Sequence, residues 1–215
     1  MATSNGARPY GGVSDEDRRA DRRQRLVSAT LDLVGEQGVA AVTVGAVCTR
    51  ASLAKRYFYE GFDSLDDLLS TTLDLLFGTV SATIDALDLA DADPTDLVTT
   101  AVRGAVDAMD DPRVARLYLE SAANPSLLRT RDAAIDGFVA QLLERVLGGR
   151  PATPADELLG QLLVSGTTHV VALWLRGRLD LTRDELVAHL VALGAETGTR
   201  MRVRADTEDD GRHER

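Results

Sequence analysis

Apolar positions along this chain recur with the period of a helix and nowhere alternate over a useful length as a strand would. Val27, Leu31 and Val34 fall four and three residues apart, which puts them on one helical face. Ser14 precedes Asp15, Glu16 and Asp17: a capping hydroxyl, then acidic residues at the positive end of the helix dipole. Gly35 and Gly38 end this first helix. Thr43 caps a second, short helix carrying Val44, Val47 and Cys48, and a turn near 51–53 leads to a third short helix over 54–60, stopped by Gly61. Ser64 with Asp67 three residues on has the form of a capping box and opens a fourth helix of about 25 residues. Leu65, Leu68, Leu69, Leu73, Leu76, Val80, Ile84 and Leu87 are its stripe.

The remainder repeats one device. Asp93-Pro94, Asp111-Pro112, Asn124-Pro125 and Thr153-Pro154 each set a capping side chain before proline. Proline is tolerated at the first helical position because its missing N–H had no partner there. Thr182 with Glu185 opens a last helix of about 20 residues as a further capping box. Gly148-Gly149-Arg150-Pro151 and Arg176-Gly177-Arg178 are connections. The pattern predicts an all-α protein of about nine helices. Residues 1–14 form a small, polar arm and residues 204–215 a charged tail, both expected to be disordered. Residues 15–63 form a three-helix head and residues 64–203 a helical body.

Three short helices within about 40 residues, with a tight turn before the third, are the outline of a helix-turn-helix head. The DNA major groove, about 12 Å wide, admits one such helix. Phe58 and Phe62, four apart, anchor the third helix inward. Lys55, Arg56, Tyr57 and Tyr59 are left to reach outward, which is the basic and aromatic chemistry that phosphates and base edges require.

Charge sharpens this reading. The net charge is −10, which argues against simple coating of nucleic acid. Residues 1–60 hold nine basic and seven acidic side chains, a net of +2, and the other 155 residues carry −12. A small nucleic-acid-binding end on an acidic body fits that asymmetry. Lys55 is the one lysine against 23 arginines, so arginine abundance by itself points to no phosphate. Arg18, Arg19, Arg22, Arg23 and Arg25 read either as a basic arm or as a solvated face. One cysteine, Cys48, excludes an intrachain disulfide and reads as small core filler. No apolar run approaches about 18 residues, and the first 25 lack the apolar stretch of a secretory leader, so the expectation is a cytoplasmic protein with no membrane partner.

The stretch 43–69 resembles the tetracycline-repressor (TetR) family. That family's pattern is a capping Thr, an apolar helix, a small-residue turn, then Tyr-x-x-Phe and a Leu-rich fourth helix. Here these parts are Thr43, Val47, Ala51-Ser52-Leu53, Tyr59, Phe62, Leu68 and Leu69. Ala29, Leu33, Gly35 and Gly38 are similar to the family's first helix and its turn, so the likeness covers about residues 22–69. Three positions depart: Ser52 stands where the family usually has Gly, Ala54 where it has a capping Ser, and Leu65 where it often has Lys. The missing cap costs the third helix roughly 1 kcal/mol.

The resemblance implies double-stranded operator DNA as a partner, held by Thr43, Ser52, Lys55, Arg56, Tyr57 and Tyr59. It also implies a homodimer in which the last two long helices, over 155–176 and 182–202, pack against their twins. Leu159, Leu162, Leu163, Gly166 and Val170 on one helix and Leu186, Leu190 and Gly194 on the other are the expected interface. The body is larger than dimerisation needs, so a small apolar effector is expected, with Tyr118, Asn124, His169 and Trp174 as candidate cavity-lining residues. No Gly-x-Ser-x-Gly elbow, Gly-Lys phosphate loop, Cys-x-x-Cys or His-Glu-x-x-His occurs, so no enzyme, cofactor or metal is expected. Asp91-Ala92-Asp93 reads as a polar connection. The leading reading is a repressor released by its effector. An activator, a regulator answering to a protein partner, and a helical dimer without DNA affinity all remain open at this point.

Overall fold

A computed structural model describes residues 14–86 and 94–213. The arm up to residue 13, Leu87, the cap Asp93 with the Asp91–Asp93 connection, and residues 214–215 lie outside the described residues. Among the described residues the chain forms nine α-helices and no strand. These are α1 (Asp15–Gln37), α2 (Val44–Arg50), α3 (Lys55–Gly61), α4 (Leu65–Asp85), α5 (Pro94–Asp107), α6 (Pro112–Glu120), α7 (Pro125–Leu147), α8 (Pro154–Leu175) and α9 (Arg183–His213).

Local chemistry sets where they start. The Ser14 and Asp17 side chains each bond the other's backbone N–H, closing a capping box on α1. The same reciprocal pairs form between Thr153 and Asp156 on α8 and between Thr182 and Glu185 on α9. Thr43, Ser64, Asp111 and Asn124 accept backbone N–H groups at the starts of α2, α4, α6 and α7. Proline occupies the first turn of α6, α7 and α8. The one large difference lies at the far end. α9 runs 31 residues to His213, through positions that composition assigned to a disordered tail. Extending an existing helix needs no new nucleus, and no proline interrupts 184–213.

The expected boundary at 63/64 is not a break in packing. One apolar cluster joins Leu26, Leu33 and Val34 of α1 and Val47 and Phe58 of the head to Leu68, Leu69, Leu73 and Phe77 of α4. It continues into Leu117 of α6 and Leu127 of α7. A second cluster holds the far half of α4 through Val80 and Ile84 against Leu97 and against Val139 and Leu143 of α7. The third packs Val98, Val102 and Val106 of α5 against Val171, Leu186 and Leu190.

That third cluster redirects three residues read from sequence as interface. Leu186 and Leu190 are buried inside the chain, and Gly194 is buried because α5 lies directly over it. A Cβ built on Gly194 would overlap Val98 Cγ1. Leu159 and Val170 are half-buried against the body, and Leu163 lines a partly open cavity between the helices. Only Leu162 and Gly166 of the expected set face outward; Leu162 is 62% exposed, and Leu158 of the same helix and Leu193 of α9 are exposed too, at 60% and 56%. α8 also reaches a mean hydropathy of 1.5 over an 18-residue window that is only 17% buried, so by length and composition it could cross a membrane, contrary to the reading of the sequence by eye. Gln161, Ser165, Thr167, Thr168 and His169 interrupt that apolar surface.

Gly194→Ala is expected to destabilise the fold by about 1–3 kcal/mol, since Val98 is stiff at χ1 and cannot swing away. Gly104→Ala in α5, where a Cβ meets Val80 at 3.9 Å, should be neutral or stabilising by up to about 1 kcal/mol. Denaturant unfolding of the two variants checks both signs.

Candidate nucleic-acid interface and effector cavity

α2 and α3 have seven residues each, too short to persist alone, so their placement comes from α1. Arg25 Nη2 donates to the Ala51 carbonyl at 2.6 Å and the Ser52 carbonyl at 3.4 Å. Arg23 donates to the Gly61 carbonyl and lies 4.1 Å over the Phe62 ring. Arg22 pairs with Glu60 at 3.5 Å. Arg50, in the last turn of α2, grips Glu36 with both terminal nitrogens at 2.8 and 2.6 Å, and its guanidinium holds the Glu36 carboxyl below the usual carboxylate range. Three of the five clustered α1 arginines therefore clamp the turn and α3 onto α1; Arg18 pairs with Asp15 and Arg19 is exposed.

The turn between α2 and α3 places Ser52 at φ 53°, in the left-handed region that favours glycine. Among the described residues it is the one non-glycine with positive φ. Leu53 N–H donates to the Cys48 carbonyl at 2.9 Å and closes the turn. Cys48 itself is buried, and burial pushes its thiol up. Ala54 gives α3 no side-chain cap, as the sequence predicted. Phe58 is fully buried and Phe62 nearly so, which sets the rotation of α3. Lys55, Arg56 and Tyr59 then point to solvent, Tyr59 with 61% of its surface exposed. Thr43 stays exposed while its hydroxyl accepts from Ala46 N–H at 3.2 Å.

Tyr57 departs from the outward row. It is half-buried, with the Arg22 and Arg56 guanidinium groups 4.7 and 4.5 Å from its ring centre, and its hydroxyl accepts a hydrogen bond from Arg56. It positions Arg56 rather than standing free. Leu65, where a lysine was the alternative, packs its side chain partly against the first apolar cluster.

A polar joint ties this head to the body. Gly35 lacks a Cβ where Arg113 of α6 passes, and Arg113 reaches Asp32 at 2.5 Å. Arg116 donates to the Gly35 carbonyl at 3.0 Å and holds Glu120 at 2.8 Å; Glu120 in turn accepts the Val39 N–H at 2.6 Å. Burial pushes the Glu120 carboxyl up, but the Arg116 guanidinium and the Val39 N–H outweigh it and hold it below the usual range.

Behind the joint lies a cavity of about 110 Å³, lined from α4 (Val80, Ile84), α5 (Leu97 to Ala105), α7 (Phe138, Gln141, Leu142), α8 (Leu163 to Thr168) and α9 (Leu190). None of the four candidates from sequence lines it. Tyr118 is buried next door, edge-on to Phe77, its hydroxyl donating to the Thr168 carbonyl at 2.9 Å. Asn124 is the cap of α7. His169 is exposed on α8, and Trp174 Nε1 donates to the Leu181 carbonyl at 2.9 Å. The polar lining residues that sequence reasoning missed are Gln141, Thr167 and Thr168. The adjacent threonines within an apolar helix were the available signal, but ordinary residue types gave them no prominence.

Comparison with known proteins agrees with this geometry. Residues 26–71 match the family model of bacterial regulatory proteins, tetR family. The chain is 27% identical over 187 residues to the HTH-type transcriptional regulator BetI of Rhizobium meliloti, covering 80% of this chain and 91% of that protein. Among solved structures, a putative TetR-family regulator from Syntrophomonas wolfei superposes with a TM-score of 0.71 at 14% identity, covering 84% of this chain and 96% of that one. A multidrug binding protein, EbrR, solved in complex with imidazole, gives 0.57 at 23% identity over 84% and 94%. At these identities the structural likeness speaks for the fold.

Replacing Ser52 by glycine removes the left-handed penalty of a Cβ and adds chain entropy to the unfolded state. The two together predict a gain of about 0.5–1 kcal/mol in Ser52→Gly. Thermal melting of the variant beside the parent measures it; a loss of stability would contradict the strained turn.

Proposed function

We propose that this chain, a DNA-binding transcriptional regulator of the tetR family, works as a homodimeric repressor that leaves its operator when a small apolar molecule fills the body cavity. The observation that carries this is the span of α4. Its first half, Leu68 to Phe77, packs in the apolar cluster that holds α3, and its second half, Val80 and Ile84, forms a wall of the cavity. A ligand that favours one tilt of α4 therefore shifts where the recognition helix sits. The shift in operator affinity equals the ligand's differential binding to the two states, typically about 1–3 kcal/mol.

At the DNA, Lys55 and the hydroxyls of Tyr59 and Thr43 serve phosphates, and Arg56, oriented by Tyr57, serves base edges. Ser52, exposed in the turn before α3, serves the DNA beside them. The exposed apolar row of Leu158, Leu162 and Leu193 is the surface a second copy covers, placing two recognition helices about 34–36 Å apart, one turn of DNA. The complex of EbrR with imidazole supports a ligand-holding body in this fold, and BetI supports the regulatory role. Such a regulator acts in the cytoplasm, where its operator is.

Selection from random and genomic DNA fragments, followed by gel shift, tests the proposal. A near-palindromic site is the expected result. Lys55→Ala should weaken binding to all sequences and reduce the salt slope by about one, and Arg56→Ala should relax base preference with a loss of about 1–3 kcal/mol. Unchanged affinity in the double variant would sink the assignment of α3.

Leu162→Glu places a charge in the row of exposed leucines. Sedimentation should then find monomers, with helical content retained and operator affinity lost; a dimer that survives would move the interface elsewhere.

A further inference from the structure

The cavity's chemistry goes beyond "small and apolar". We propose that its ligand is an uncharged molecule of about one six-membered ring that carries a single hydrogen-bonding group met by the Thr167 hydroxyl. This rests on the body cavity being the effector site.

Three observations carry it. First, size: a cavity of about 110 Å³ is somewhat below the roughly 150 Å³ that holds one benzene, and well below the 300–1,000 Å³ of drug-sized sites. Second, charge: none of the lining residues among the described ones is ionisable. The Asp85 carboxylate touches the lining through Gln141 and is already paired with Arg145, each donating to its Oδ1 at 2.6 Å. A ligand carboxylate or ammonium would enter unpaired, which an apolar site penalises heavily. Third, hydrogen-bonding capacity: of the two lining hydroxyls among the described residues, that of Thr168 is committed and that of Thr167 is not. The Thr168 hydroxyl donates to the Ser165 carbonyl at 2.9 Å, the Thr168 carbonyl accepts from Tyr118, and the Gln141 amide donates to Asp85. Elsewhere in the helices Thr72, Thr79, Thr83 and Thr99 return their hydroxyls to the carbonyl four residues back. Thr167 lines the cavity and its hydroxyl makes no hydrogen bond within the chain among the described residues. A half-buried hydroxyl on an apolar wall gains from a ligand that supplies the missing partner.

Calorimetric titration of the full chain with four ring-sized probes tests this: phenol, benzene, benzoate and N-methylpyridinium. Phenol should bind best, benzene about five- to tenfold more weakly, and both charged probes at least about a hundredfold more weakly. In Thr167→Val the preference for phenol over benzene should fall to near one while benzene still binds. Ala101→Leu, which fills the cavity, should abolish phenol binding with the melting transition retained. Charged probes binding as well as phenol would overturn the proposal. So would an unchanged phenol preference in Thr167→Val, phenol binding that survives Ala101→Leu, or no binding of any probe. Operator release is read separately by gel shift. Binding with the expected preferences but no release leaves this ligand class standing and overturns the repressor mechanism above.

Discussion

A seven-residue helix does not hold itself together in water, because its few hydrogen bonds scarcely repay the cost of nucleation. Both α2 and α3 are of that length, and α3 lacks a side-chain cap. Their existence rests on burial: Val47 and Phe58 are wholly excluded from solvent against Leu26 and Val34 of α1 and Leu68 of α4. Each such side chain contributes about 1.5–3 kcal/mol relative to exposure. The face that carries Lys55, Arg56 and Tyr59 is thus a by-product of where Phe58 and Phe62 are anchored. Polar clamps from Arg22, Arg23 and Arg25 refine the angle; Arg23 and Arg25 are exposed, so their contacts set geometry more than stability.

The same burial makes the head an extension of the body. α1 shares its apolar side with α4, and its C-terminal end is fixed by α6 through Asp32, the Gly35 carbonyl and the Val39 N–H. These contacts are directional. Glu120 satisfies a buried backbone donor that would otherwise be orphaned, and Arg116 keeps that carboxylate charged and in place. α6, α4 and α1 are packed and bonded together at this joint, and α1 in turn carries α3. Glycine at 35 is what lets Arg113 lie so close, and Gly38, at φ 85°, turns the chain out of α1 at the same spot.

The apolar surface of the body falls into two parts. The inward faces of α4, α5, α7 and α8 close around the cavity, and Leu158, Leu162 and Leu193 remain outside. Leu158 and Leu162 share α8 with serine, threonine and histidine side chains, and Leu193 lies on α9.

Helix starts, the all-α class and the short third helix were legible from the sequence because each is decided within a few residues. A capping hydroxyl before an acidic residue, a proline in the first turn, or a glycine after the last periodic position acts through near neighbours, and Ser14, Thr43, Ser64, Asn124, Thr153 and Thr182 all act where they were read. Phe58 and Phe62 likewise fixed the inward side of α3 by their spacing alone. What periodicity cannot say is which surface covers an apolar face. Leu186, Leu190 and Gly194 form a stripe that suits a partner helix and an internal one equally; only the path of α5 across Gly194 decided for the inside. The clustered arginines of α1 read as a basic arm or a solvated face, and the nearness of the α2–α3 turn and α3 turned Arg23 and Arg25 to backbone carbonyls and Arg22 to Glu60. Tyr118, Asn124, His169 and Trp174 stood out by residue type, yet the cavity is formed by Thr167, Gln141 and common aliphatics, because a void depends on how five helices fail to fill the space between them. Local rules specify elements; burial is a relation between elements far apart in the chain, and it exists only once they have packed.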